Sequence, residues 1–304
     1  MAEPSVLEKA PAFGEGGGTP VEPPVESLWR LTWRRFLRHR VALAGLAVLT
    51  LLLLSALFAP WIVPYDPNAI DLKARYQPPS WAHPMGTDDL GRDLLSRVIY
   101  GGRISLSIGI LSALVSVLFG TLIGALAGFF GRMVDGVLMR FTDLMLTFPP
   151  LLLLILLASL FGTSFLTIVL VISSVSWMNV ARLVRASFLS LKEQDFVEAA
   201  RALGAGPLRL MVRHILPNAL SPIIVAATLG AAAAILTEST LSFLGLGIQP
   251  PTSSWGTMLQ TAQSQISTAP WMSLFPGLMI FLTVLSINFV GDGLRDALDP
   301  RKVL

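Results

Sequence analysis

Two stretches without a single charged residue, 104–131 and 144–181, set the strongest limit on how this chain folds. They run 28 and 38 residues. A helix needs roughly 20 mostly apolar residues to cross about 30 Å of hydrocarbon. Each stretch therefore holds one or two crossings, more apolar length than one core helix of a soluble domain uses. Over the 304 residues, 53% are hydrophobic and 13% are charged, where a soluble domain carries about a quarter charged residues. The fold class that follows is all-α, a polytopic membrane bundle.

The apolar runs predict six transmembrane helices at 41–62, 102–130, 137–160, 165–184, 217–245 and 271–292. Lys and Arg decide the orientation. Segments 1–40, 131–140, 182–213 and 292–304 hold 17 of the 22, and the other five are Lys73, Arg75, Arg92, Arg97 and Arg103. By the positive-inside rule both termini are cytoplasmic, and the loops 64–101 and 246–270 face outward. Residues 1–28, rich in Pro, Gly and Glu, read as a disordered cytoplasmic tail rather than a signal peptide. The basic, aromatic stretch 29–40 suits an interfacial helix. The membrane domain then occupies 41–304.

Several classes fall away. No cysteine is present, and the three histidines, His39, His83 and His214, share no ligand spacing, so neither thiolate chemistry nor a metal site is expected. The net charge of +3 sits at the ends of apolar segments and not on a soluble basic face, which argues against nucleic acid. The lysines are Lys9, Lys73, Lys192 and Lys302, and none follows a glycine. A P-loop needs that lysine to hold phosphates, so the chain is expected to bind no ATP or Mg itself. A membrane-embedded hydrolase would need a base at the depth of a nucleophile, and an ion channel would want a ring of charges or a repeated filter. No histidine lies within a predicted span, Glu238 is the only carboxylate candidate near the middle of one, and neither a ring of charges nor a repeated filter occurs.

The most informative segment is the cytoplasmic loop 186–216. Within it, Asp195 and Glu198 have the spacing of a capping box. Gly204 is placed for a left-handed cap, and Pro207 for the first turn of a second helix. Two ordered helices in a loop that needed only a few residues imply a surface that a partner grips. Ala199, Ala200, Ala202 and Leu203 form an apolar cluster, which on a cytoplasmic loop points to a partner. Arg201, Arg209 and Arg213 serve either that partner or the positive-inside bias. Glu198 either caps a helix or touches the partner.

Glu198-Ala199-Ala200, then Gly204, then His214-Ile215-Leu216-Pro217 resembles the EAA signature of ABC importer permeases. The ending Arg213-His214-Ile215-Leu216-Pro217-Asn218 is similar to the peptide/nickel branch. Three further segments resemble the C-type subunit of that branch: His83-Pro84-Met85-Gly86-Thr87-Asp88-Asp89-Leu90-Gly91-Arg92-Asp93; Leu241-Ser242-Phe243-Leu244-Gly245-Leu246-Gly247 with Pro250-Pro251 and Ser254-Trp255-Gly256; and Gly291-Asp292-Gly293-Leu294-Arg295-Asp296-Ala297-Leu298-Asp299-Pro300. The resemblance covers roughly 30–304. It implies a multi-pass subunit of a bacterial or archaeal inner membrane, forming half of a translocation pathway with a second homologous permease. It implies one or two ATPase subunits, which bind ATP and Mg, and an external solute-binding protein. Glu198, Ala199, Ala200, Arg201, Leu203 and Gly204 are the ATPase-docking residues it points to. The implied solute is a di- or oligopeptide, with nickel complexes, glutathione and oligosaccharides as alternatives.

Residues outside that loop carry weaker expectations. Gly120, Gly124 and Gly128 recur every four residues and predict a close helix–helix approach. Thr87 or Asp88 is expected to cap a short surface helix. Pro149-Pro150, Pro222 and Pro276 shape or kink their helices. Asn179 and Asn288 are expected to bond between helices. Glu238, a carboxylate near the middle of a predicted span, either lines the translocation path or bonds to Thr237, Ser239 or a neighbouring span.

Overall fold

The computed structural model describes residues 28–298, and the expected tail lies almost wholly outside them. Among the described residues the regular structure is helical. The basic stretch forms α1 (Leu28–Phe36), shorter than expected, and a turn separates it from α2 (Arg40–Leu57). There His39 accepts a hydrogen bond from the Ala42 amide at 3.1 Å, an N-cap in place of the usual hydroxyl or carboxylate. A short α3 (Ala59–Ile62) prolongs α2 with Pro60 in its first turn.

The second span is much longer than its apolar core requires. α4 (Leu94–Phe130) starts eight residues before the expected 102 and has 37 residues, about 55 Å at 1.5 Å per residue. Asp93 caps it, its carboxylate accepting from the Ser96 amide at 2.8 Å. The expected surface helix after Thr87 does not form. Asp88 instead closes a loop, accepting from the amides of Leu90 and Arg92 at 2.9 Å each and pairing with Arg92 Nε at 2.7 Å.

The third expected span, 137–160, is not one straight helix. α5 (Arg132–Leu146) and α6 (Pro150–Phe161) meet at 87°. Adjacent prolines at 149 and 150 supply no amide donors, and each biases the residue before it away from helix. Pro149 accordingly has an extended ψ of 121°. Among the described residues five helices are long and apolar enough to span, and the bent pair makes a sixth if it is one span. The other spans are α7 (Phe165–Leu191), the continuous helix Pro207–Phe243 and α12 (Trp271–Leu298). Pro222 and Pro276 sit inside their helices without ending them.

α4 and α7 form the centre. Gly120, Gly124 and Gly128 face α7, and a Cβ on Gly120 would lie 2.6 Å from the Trp177 carbonyl. One on Gly128 would lie 2.7 Å from Phe188 Cβ. The glycine face thus sets the separation of the backbones, as its spacing implied. Ser173 Oγ donates to the Ser112 carbonyl at 3.1 Å and ties the same pair of helices together. Toward one end, Arg185 on α7 pairs with Asp135 on α5, and Arg182 with Asp143 at 2.5 Å. α10 (Leu216–Phe243) packs against both α4 and α7, while α12 packs on α10 and on α2.

Candidate functional site

The loop after α7 folds into α8 (Asp195–Ala202), a turn, and α9 (Pro207–Arg209), which continues through a π-helical stretch Leu210–Ile215 into α10. Three apolar side chains anchor it. Val197, Leu210 and Ile215 are buried with Val184 and Phe188 of α7 and Ala219 and Ile223 of α10. The loop is therefore packed onto the bundle and holds a definite shape.

Its start differs from the capping box expected. Gln194 is the N-cap, without a side-chain bond, and Asp195 and Glu198 both lie in the first turn. Their negative charge there still favours the amide end of the helix. The Glu198 side chain is consequently not engaged in a capping box, and it is exposed. The end of α8 matches the expectation. Gly204 has φ +83°; its amide donates to the Arg201 carbonyl at 3.0 Å, and the Ala205 amide to the Ala200 carbonyl at 3.1 Å. This is the Schellman pattern. Nothing lies within 4 Å of a Cβ built on Gly204, so the glycine is required by backbone conformation and not by space.

With the anchors turned inward, an apolar surface turns outward. Leu203 is 90% exposed and Leu208 is 75% exposed. Phe196 and Val212 are exposed beside them. Ala199, Arg201 and Ala202 are exposed, and Ala200 is half-buried. Leu208, Val212 and Phe196 were not singled out from sequence. The signal was there in the four-residue spacing of Leu208 and Val212, which places both on one helical face, but the π-helical stretch that follows Arg209 left no trace in the pattern. Arg209 and Arg213, next in the chain to Leu208 and Val212, are exposed as well.

Glu238 lies elsewhere, toward the far end of α10, and is fully buried. Ser242 Oγ donates to its Oε1 at 2.7 Å and Ser105 Oγ of α4 to its Oε2 at 3.2 Å. The carboxylate thus bonds to a neighbouring helix and does not face an open cavity. Asn288 bonds within its own helix, to the Val284 carbonyl at 2.9 Å, and not between helices. No group of three or more potential metal ligands occurs among the described residues.

Residues 120–303 match the family model described as binding-protein-dependent transport system inner membrane component. The chain belongs to this family. Residues 27–79 match a second model, the N-terminal TM domain of oligopeptide transport permease C. Among curated relatives, a protein carrying the name of a peptide permease in Brucella suis biovar 1 is 48% identical over 272 residues, 89% of this chain and 90% of the relative. The di/tripeptide transport system permease protein DppC of Pseudomonas aeruginosa is 46% identical over 275 residues, 88% of this chain and 91% of that one. The fold is similar to a chain of the inward-facing MetNI methionine ABC transporter, with a TM-score of 0.54, 19% identity, and coverage of 68% of this chain and 96% of that chain. As a permease of this family, the chain is a non-catalytic membrane subunit of an ABC importer, and ATP hydrolysis belongs to a separate subunit.

Proposed function

We propose that this permease carries di- or oligopeptides inward and docks its ATPase through 195–217, with Glu198, Ala199, Ala200, Arg201, Leu203 and Gly204 in the contact. One observation carries the docking reading. A loop whose inner side is anchored in the bundle presents Leu203 and Leu208 almost bare at the end of the molecule where basic residues gather. A fixed apolar surface of that kind, rimmed by arginines, is what a partner protein covers. Peptide as the solute is supported by the relatives' names and by the match to the oligopeptide permease model.

In this reading a second homologous permease completes the pathway, and one or two ATPases bind ATP and Mg. An external solute-binding protein delivers the peptide. Both termini lie on the cytoplasmic side of a bacterial or archaeal inner membrane. Closure of the ATPases around ATP pulls on the docking loops and reorients the helices, and hydrolysis resets them. Deleting 198–204 is expected to abolish ATPase co-purification while the chain still inserts in membranes; retained co-purification refutes the dock. ATP-dependent uptake by the reconstituted complex, tested with binding proteins loaded with peptides and with nickel complexes, decides the solute.

A further inference from the structure

The docking surface leaves unused the motif around Ser242 and Ser254, at the opposite end of the same long helix. There the loop 246–270 folds back as α11 (Trp255–Ala262), capped by Ser254. The Trp255 amide donates to Ser105 Oγ at 3.1 Å, and Ser105 Oγ in turn donates to Glu238. The Trp255 indole N–H donates to the Val98 carbonyl of α4 at 2.9 Å. Ser254 Oγ donates to Ser242 Oγ at 3.4 Å, and Ser242 Oγ to Glu238. Three elements, α4, α10 and α11, therefore meet at one carboxylate.

Packing requires the same meeting. Gly102 lies inside α4, where a glycine weakens a helix by about 1 kcal/mol relative to alanine. A Cβ there would come within 2.9 Å of the Trp255 ring. A Cβ on Gly256 would come within 2.7 Å of both Ser239 Cα and Ser242 Cβ. Both glycines let α11 settle directly onto the two long helices. A buried carboxylate is costly unless hydrogen bonds satisfy it, and both oxygens of Glu238 are satisfied by partners on α10 and α4.

The helix Pro207–Phe243 carries this carboxylate in its last two turns and begins in the docking segment, a rod of about 55 Å. We propose that Glu238 is a positioning residue for transport, the joint that makes α4, α10 and the external helix α11 move as one body with the docking segment. The inference rests on the reading of 195–217 as the ATPase dock. Movement imposed on the rod at the cytoplasmic end then reaches the external loop, where solute arrives, along one helix that neither the π-helical stretch nor Pro222 ends.

The test uses the complete importer in proteoliposomes, with its ATPase and loaded binding protein. Glu238→Leu removes the acceptor, Ser105→Ala removes only the link to α4 and Trp255, and Glu238→Gln keeps a side chain that bridges two hydroxyls. The expected result is unchanged ATPase co-purification and basal hydrolysis, with solute imported per ATP falling about tenfold in Glu238→Leu. Ser105→Ala is expected to fall less, and Glu238→Gln to stay near the parent. Parental import per ATP in both Glu238→Leu and Ser105→Ala overturns the joint. Loss of ATPase co-purification in both also overturns it, since the carboxylate then serves assembly alone. If Glu238→Leu does not assemble, Ser105→Ala decides. A parent complex that imports nothing with ATP refutes the importer reading instead.

Discussion

Gly204 has space for a larger side chain but no backbone conformation for one. At φ +83° an ordinary L-residue costs roughly 1–2 kcal/mol, and asparagine tolerates the region better. Gly204→Val is therefore expected to weaken ATPase association about tenfold, with Gly204→Asn close to the parent, as measured by titrating ATPase onto the purified permease. Leu203 makes a complementary prediction. Because it is 90% exposed, Leu203→Asp should leave thermal stability unchanged within about 0.5 kcal/mol. The same change should nevertheless abolish ATPase co-purification. A stability loss with docking retained would place Leu203 in the bundle's own packing. Glu198 illustrates what spacing conceals. A carboxylate three residues after an aspartate fits a capping box, but the structure starts the helix one residue earlier, so both acids sit inside the first turn.

At the scale of elements, the sequence shows where apolar length lies better than it shows where helices turn. The expected third span holds enough apolar residues for one crossing, yet two consecutive prolines break it at 87°. The long reach of α4 below residue 102 was hidden because 94–103 is polar enough to read as loop, and its cap, Asp93, was masked by the neighbouring Asp88 and Asp89. By contrast, the four-residue glycine repeat predicted a close helix–helix approach, since small residues at that spacing have few other uses in a membrane helix, and the structure supplies α7 as the partner. Gly124→Leu is expected to drive those helices apart and lower stability by about 1–3 kcal/mol, seen as a lower unfolding temperature in detergent. The Arg185–Asp135 pair supplies a second test. Arg185→Asp should destabilise the chain, and adding Asp135→Arg should restore part of the loss; a double variant no better than the single would mean the pair does not hold α5 to α7.

For the whole molecule, orientation is open to direct measurement because the chain has no cysteine. Trp81→Cys, at a fully exposed position, should react with a membrane-impermeant maleimide on intact cells. Glu193→Cys, beside the docking loop, should react only after permeabilisation. Reversed labelling would overturn the cytoplasmic placement of 195–217. From sequence alone came the membrane class, the number of apolar runs, the separate ATPase and the ordered two-helix loop at 195–217. Each of these rests on length, charge or local backbone chemistry, and such properties survive without knowledge of neighbours. Glu238 was visible only as an anomaly. Whether it faced a path or a partner depended on Ser105, 133 positions away along the chain. The outward turn of Leu203 and Leu208 likewise depended on which apolar side chains the bundle claimed as anchors. Those are decisions of packing, and only the folded chain makes them.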